Sequence, residues 1–303
     1  MIDFAACSRG RTSDVKDSAL TVGERSEFTP DEVDLWLVPS LDCPAGLQGA
    51  LGQTLSGDES DRAARFHFAQ DRNRFIAARS ILREILSFYL NCCPAEVCFA
   101  YQPNGKPHLR FQPLLNKDLR FNLSHSGEVA MYAISRGREI GVDVELSRLN
   151  ISWAELAGSF FATGEVAALH RLSAKDRMRG FFNCWTRKEA YVKARGEGLS
   201  IPLDAFEVSL APTDPPALCR VSDPKELERW SLWDLGLTGD LAGALVVEGK
   251  PSRFRLFSWS WADSSQSGTA AVRLCPGVNN CHVRHLFGAI GGVPITAPLH
   301  TPG

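Results

Sequence analysis

The chain has 303 residues, 44% hydrophobic and 22% charged, with a formal net charge of −2. That length holds one large domain or two small ones, and the near-neutral charge excludes a general polyanion-binding surface, so no nucleic-acid partner is expected. The sequence has no run of eighteen apolar residues, its first residues lack a secretory-type apolar core, and nine scattered cysteines form no C-x-x-C pair. A cytoplasmic protein with reduced thiols and no membrane partner is expected.

In chain order, residues 1–30 are polar and aperiodic and read as a flexible extension. Residues 34–39 read as a strand ended by Pro39. From 60 to 90 the pattern is helical: Phe75, Ala78, Ile81, Leu82, Ile85 and Leu86 form the apolar stripe, and Arg65, Arg72, Arg79 and Arg83 supply positive charge. A short strand at 96–101 precedes a turn at 103–107. Strands at 119–123 and 129–135 are expected to pair across a turn that exposes Ser124, His125 and Ser126.

The second half repeats this plan roughly. A strand at 140–145 leads to a helix at about 152–158, and Thr163 is the expected N-cap of another. A long helix follows from about 175 to 194, ended by Gly196. Strands are expected at 206–210, 217–221, 231–235 and 242–247. Residues 251–303, rich in Gly, Ser, Pro, Ala and Thr toward the end, read as a low-complexity, disordered tail.

Two segments carry the chemistry. In Gly141-Val142-Asp143-Val144-Glu145, period two puts both carboxylates on one face of a strand. In Trp185-Thr186-Arg187-Lys188-Glu189-Ala190-Tyr191-Val192-Lys193, the residues Trp185, Glu189 and Lys193 form one helical stripe. Three carboxylates that converge, with a lysine one turn beyond the last, suit a hard cation holding a phosphate ester.

Together with Phe121-Asn122-Leu123-Ser124-His125-Ser126, Phe160-Phe161-Ala162-Thr163-Gly164-Glu165 and Gly196-Glu197-Gly198-Leu199, these segments resemble the 4'-phosphopantetheinyl transferases. The resemblance is to the monomeric, two-halved branch that activates carrier proteins of peptide, polyketide and fatty acid synthases, and it runs from about Arg62 to about Val247. It implies an α+β fold of two similar α/β subdomains, 31–138 and 139–250, related by a pseudo-twofold axis, with the coenzyme in the cleft between them. It also implies transfer of the phosphopantetheine arm of coenzyme A to a serine of an apo acyl or peptidyl carrier protein.

Residue by residue, the resemblance implies Asp143, Glu145 and Glu189 as ligands of Mg²⁺, with Mn²⁺ as the alternative. Lys193 becomes the pyrophosphate-contacting lysine and Glu165 the general base, with a metal-bound water as the alternative base. Ser124 and His125 fall at the coenzyme phosphates, and Lys106 and Pro107 at the turn beside the adenine and its ribose phosphate. Arg74 and Arg83 fall where the family has phosphate contacts or structural ion pairs. Glu59 and Arg62 stand where some members have lysines, so Arg62 is the expected substitute at the 3'-phosphate. Lys188 is left to the carrier face or the plain surface, and Trp185 to the core. Length and the presence of both halves argue against the smaller, trimeric holo-acyl-carrier-protein synthases. A non-catalytic coenzyme- or carrier-binding module of the same fold is the alternative.

Overall fold

The computed structural model describes residues 28–44, 46–111, 118–147, 151–237 and 239–261, and the backbone of 281–286, 289–290 and 293–294. The extension expected at 1–30 lies almost wholly outside them. The first half runs β1 (Glu32–Val38), α1 (Gln48–Gly52), α2 (Gly57–Ala64), α3 (Ala69–Leu90), β2 (Phe99–Tyr101), β3 (Pro107–Leu109), β4 (Leu119–Ser126) and β5 (Val129–Arg136). The second runs β6 (Ile140–Leu146), α4 (Trp153–Phe160), α5 (Thr163–Arg171), α6 (Ala174–Arg195), β7 (Glu207–Val208), β8 (Leu218–Arg220), α7 (Lys225–Arg229), β9 (Trp230–Asp234) and β10 (Leu241–Glu248). Two further strands, β11 (Arg253–Trp261) and β12 (Cys281–Leu286), return to the first sheet.

Two sheets, ordered β12-β11-β1-β5-β4 and β6-β10-β9, carry the molecule. Period-two alternation divides each strand between two cores. Trp36, Val38, Tyr132 and Ile134 join Ile81, Leu82 and Ile85 of α3. Their neighbours Val33, Leu35, Met131 and Ala133 join Val142, Val144, Leu245 and Val247 of the other sheet. Phe181, Ala190 and Tyr191 of α6 cover that sheet's far side with Ala244 and Val246. The layers are therefore helix, sheet, sheet, helix, and the α+β, two-halved architecture holds, with one 22-residue helix to each half. Among the described residues, no helix is long and apolar enough to cross a membrane.

The tail expected from residue 251 onward does not begin there. β11 lies between β1 and β12, parallel to β1 with Trp36 opposite Phe257. Phe254, Phe257 and Trp259 are 0%, 3% and 2% exposed. Each such side chain contributes roughly 1.5–3 kcal/mol on burial, and the sum is comparable with the roughly 5–15 kcal/mol net stability of a domain. The apolar residues Phe254, Leu256, Phe257 and Trp259, divided between the two faces, carried this strand, and the composition of the residues after 261 masked it. The rest of the expected tail falls largely outside the described residues.

Two local expectations also change. Ser124, His125 and Ser126 belong to β4, paired with Met131, Ala130 and Val129, so the turn is only Gly127-Glu128. Gly127 has φ +59°, the left-handed value such a two-residue hairpin needs. Thr163 is the first residue of α5 and Ala162 its N-cap. The Ala162 N–H donates instead to Glu165 Oε2 at 2.9 Å.

Candidate active site

β4 crosses β6 without forming a backbone ladder, and its polar side chains make the connection. Asn122 Oδ1 accepts the Val142 N–H at 2.9 Å. Ser124 Oγ donates to Asp143 Oδ1 at 2.7 Å, and Ser126 Oγ donates to Glu145 Oε2 at 2.6 Å. Period two in both strands makes the side-chain clamp possible: residues 124 and 126 meet 143 and 145 in step, while Asn122 takes a backbone N–H.

α6 reaches the same carboxylates because Gly141 lets it. A Cβ on Gly141 would stand 2.1 Å from the Ala190 carbonyl oxygen and 2.4 Å from the Ala194 nitrogen, so any side chain would push helix and strand apart. With the two backbones in contact, Lys193 Nζ donates to Asp143 Oδ1 at 2.6 Å and to Ser124 Oγ at 3.0 Å. Asp143 is 3% exposed, and its Oδ2 is buried with no hydrogen-bond partner. Burial and the Asp143 carboxylate raise the Glu189 carboxyl above its ordinary value, Lys193 pulls it back and Glu145 adds to the rise. Burial, then Lys193 and Arg74, hold the His125 imidazole below its ordinary value. Asp143 and Glu145 thus lie close enough to oppose the ionisation of Glu189, and the Lys193 ammonium lies close enough to favour it.

A cavity of about 690 Å³ opens beside this cluster, and Trp185, Glu189 and Lys193 line it as the helical stripe predicts. Trp185 also stacks on Phe181, with ring centroids 6.0 Å apart, so it serves both core and cavity. Lys106, Pro107, Arg62 and Arg79 continue the wall. Arg62 and Arg79 approach the Phe75 ring at 5.4 and 5.8 Å. Arg79 is 6% exposed, and its buried Nη1 has no hydrogen-bond partner. Sequence reading counted Arg79 only as helix charge. The signal was its place on the apolar stripe of α3, four residues after Phe75 and three before Leu82.

Other expected residues fall elsewhere. Arg83 is a structural ion pair: it meets Glu59 at 2.7 Å, both 1% exposed, and donates to the Pro94 and Val97 carbonyls. Arg74 forms a two-pronged pair with Asp42 at 2.8 and 3.0 Å, within electrostatic reach of His125 but outside the cavity wall. Lys106 turns its ammonium to Glu139 and to the Ile140 and Ala194 carbonyls, fastening the 103–107 turn to β6 and α6.

Glu165 is not brought to the carboxylate cluster. It is 3% exposed and pairs at 2.7 Å with Lys188, which is fully buried rather than on the carrier face or the surface.

No three His, Cys, Asp or Glu side chains among the described residues stand ready as a metal cage. Asp143, Glu145 and Glu189 nevertheless fit a hard divalent cation. An orphaned buried carboxylate oxygen costs roughly 1–3 kcal/mol or more, and such a cation relieves it. Mg²⁺ in particular takes few protein carboxylates and fills its remaining positions with water and phosphate oxygens.

An α+β fold in which Glu189 and Lys193 line a cavity walled also by Arg62, Arg79 and Lys106, with Lys193 paired to the buried Asp143, suits an enzyme that handles phosphate esters. The sequence pattern of the 4'-phosphopantetheinyl transferase superfamily matches residues 139–246, and that of the 4'-phosphopantetheinyl transferase N-terminal region matches 47–136. The chain is 41% identical over 221 residues to 4'-phosphopantetheinyl transferase HetI of Nostoc sp. strain PCC 7120, covering 72% of this chain and 89% of that protein. It is 37% identical to the putative 4'-phosphopantetheinyl transferase slr0495 of Synechocystis sp. strain PCC 6803, over 55% of this chain and 65% of that one. It is 31% identical to 4'-phosphopantetheinyl transferase Sfp of Bacillus subtilis strain 168, over 52% and 66%. The chain belongs to the 4'-phosphopantetheinyl transferase superfamily.

Proposed function

We propose that the protein moves the phosphopantetheine arm of coenzyme A onto a serine hydroxyl of an apo acyl or peptidyl carrier protein, releasing adenosine 3',5'-bisphosphate. The observation that carries this reading is the buried Asp143 carboxylate, its Oδ2 unpartnered and its Oδ1 held by Lys193, which itself lines a cavity that both halves of the chain build.

Asp143, Glu145 and Glu189 would hold Mg²⁺ or Mn²⁺, which when bound neutralises pyrophosphate charge. Lys193 adds an ammonium to the same anion, aimed by Ser124 and Asp143. His125 stands beyond it as a further hydrogen-bond partner for the anion, within electrostatic reach of Lys193. Arg62 and Arg79, at the other end of the wall, suit the 3'-phosphate, because a phosphate monoester carries about −1.5 to −2 charges at neutral pH. Lys106 holds the turn that brings Pro107 and Gly105 to the cavity. Positioning and charge neutralisation are the main requirements of such a displacement.

Intact-protein mass spectrometry of an apo carrier mixed with this chain, coenzyme A and Mg²⁺ tests the reading. Expected is a mass gain of one phosphopantetheine arm, abolished by chelator. No gain across acyl, peptidyl and aryl carriers, with the chain folded and binding coenzyme, would reduce the protein to a binding module.

A further inference from the structure

The Lys188–Glu165 pair is completely satisfied from within. Lys188 Nζ reaches Glu165 Oε2 at 2.7 Å, the Leu203 carbonyl at 2.7 Å and the Phe206 carbonyl at 2.6 Å. An ammonium has three protons, and all three are spoken for. Glu165 Oε2 also accepts the Ala162 N–H at 2.9 Å, and Oε1 accepts the Val208 N–H at 2.7 Å. Neither oxygen faces the cavity that Glu189 and Lys193 line. Glu165 borders a separate cavity of about 350 Å³ with Glu207 and Cys219. A general base must come within hydrogen-bond reach of the proton it takes, and this carboxylate is locked away from the carboxylate cluster.

What the pair does hold is specific. Ile201, Pro202 and Leu203 form an apolar part of the main cavity's lining, together with Trp185 and Val192. Lys188 ties the backbone at 203 and 206 to α6, one residue before Glu189, and Glu165 ties 208 to α5. Adjacent helical residues lie about 100° apart. Drawing Lys188 into the core therefore fixes the rotation that presents Glu189 and Lys193 to the cavity.

We infer that Glu165 and Lys188 are positioning residues: the buried pair sets both the 201–203 wall and the facing of α6. The inference rests on the transferase reading, but it is measurable without turnover.

The experiment compares the full-length wild type with Glu165→Gln, Lys188→Met and the double variant. The readouts are thermal midpoint, coenzyme A affinity by titration calorimetry in chelator, and kcat, KM and the pH–rate profile on a carrier. Each single change leaves one buried partner uncompensated, so each is expected to weaken coenzyme binding by about tenfold or more. The double variant, which buries no charge at the pair, is expected to recover thermal midpoint, because partners in contact are non-additive, but not coenzyme affinity, because the bonds from residue 188 to the 203 and 206 carbonyls stay lost. The acidic limb of the pH–rate profile stays in place in every active variant.

The inference is overturned if Glu165→Gln keeps wild-type coenzyme affinity while kcat falls by about 100-fold or more and the acidic limb disappears, as loss of a general base requires. It is overturned equally if no variant moves either coenzyme affinity or kcat. Should Glu165→Gln fail to fold, the double variant and Glu165→Asp carry the same comparison. Failure of the wild type to load any carrier would sink the transferase reading alone, since the calorimetric comparison still scores the pair.

Discussion

Ser124 Oγ and Lys193 Nζ converge on one oxygen, Asp143 Oδ1, at 2.7 and 2.6 Å. Their joint hold turns Oδ2 away into a buried position with no hydrogen-bond partner. Ser124 thus decides which way Asp143 faces. Removing its hydroxyl costs about 1 kcal/mol of hydrogen bonding, and loss of an orienting partner of a metal ligand typically weakens metal affinity by about 10–100-fold. Ser124→Ala is expected to do the latter while barely moving the melting midpoint. Mn²⁺ titration followed by electron paramagnetic resonance checks it, and unchanged Mn²⁺ affinity would remove Ser124 from the site.

Asp143→Ala and Glu189→Gln are expected to abolish carrier loading by orders of magnitude with the fold intact. The reason is electrostatic: each takes away a carboxylate needed to hold the cation that offsets pyrophosphate charge. Mass spectrometry of the carrier, with circular dichroism of the variant, reads both halves of this statement. Wild-type loading by either variant in the presence of Mg²⁺ would show that the ligand assignment is wrong.

Arg79 offers a test that separates binding from chemistry. Its Nη1 lacks a partner in the core, and a hydrogen bond to a charged group is worth roughly 1.5–3 kcal/mol. Arg79→Met is therefore expected to weaken coenzyme A binding by about 10- to 150-fold but dephospho-coenzyme A, which lacks the 3'-phosphate, much less. Equal losses for the two ligands would place Arg79 in packing rather than in recognition.

Much of the site was legible in the sequence because two periods cross. The strand period set Asp143 and Glu145 together, and the helix period set Trp185, Glu189 and Lys193 on one cavity-facing stripe. What stayed hidden was pairing at long range. Nothing local says that Glu165 meets Lys188, that Arg74 meets Asp42, or that Arg83 meets Glu59. Each is a tertiary ion pair that claims a side chain whose charge looked available to a ligand. Lys188 is the sharpest case. It lies beside a site residue in sequence and is fully buried, because Glu165 and the 203 and 206 carbonyls brought in by the fold make that burial tolerable. β11 was missed for the opposite reason: its pattern was local, but the composition of the following segment outweighed it.

β11 also brings a pH dependence to the first core. Glu84 of α3 is 2% exposed and faces the Trp259 indole of β11, although Glu84 Oε2 and Trp259 Nε1 both lack a hydrogen-bond partner. Burial pushes the Glu84 carboxyl up from 4.5 to about 7. The folded state therefore keeps a proton that the unfolded chain releases above its ordinary value. Stability contributed by the protonated form is fully present below about pH 4.5 and is lost as pH rises through about 7. The window spans roughly two to three pH units at about 1.4 kcal/mol each, so the loss is on the order of 3 kcal/mol. Glu84→Gln, which is neutral at every pH, is expected to flatten the urea midpoint between pH 5 and 8 and to exceed the wild type at pH 8. Parallel midpoints for the two proteins across that range would show that Glu84 is ionised in the fold and that another group sets the trend.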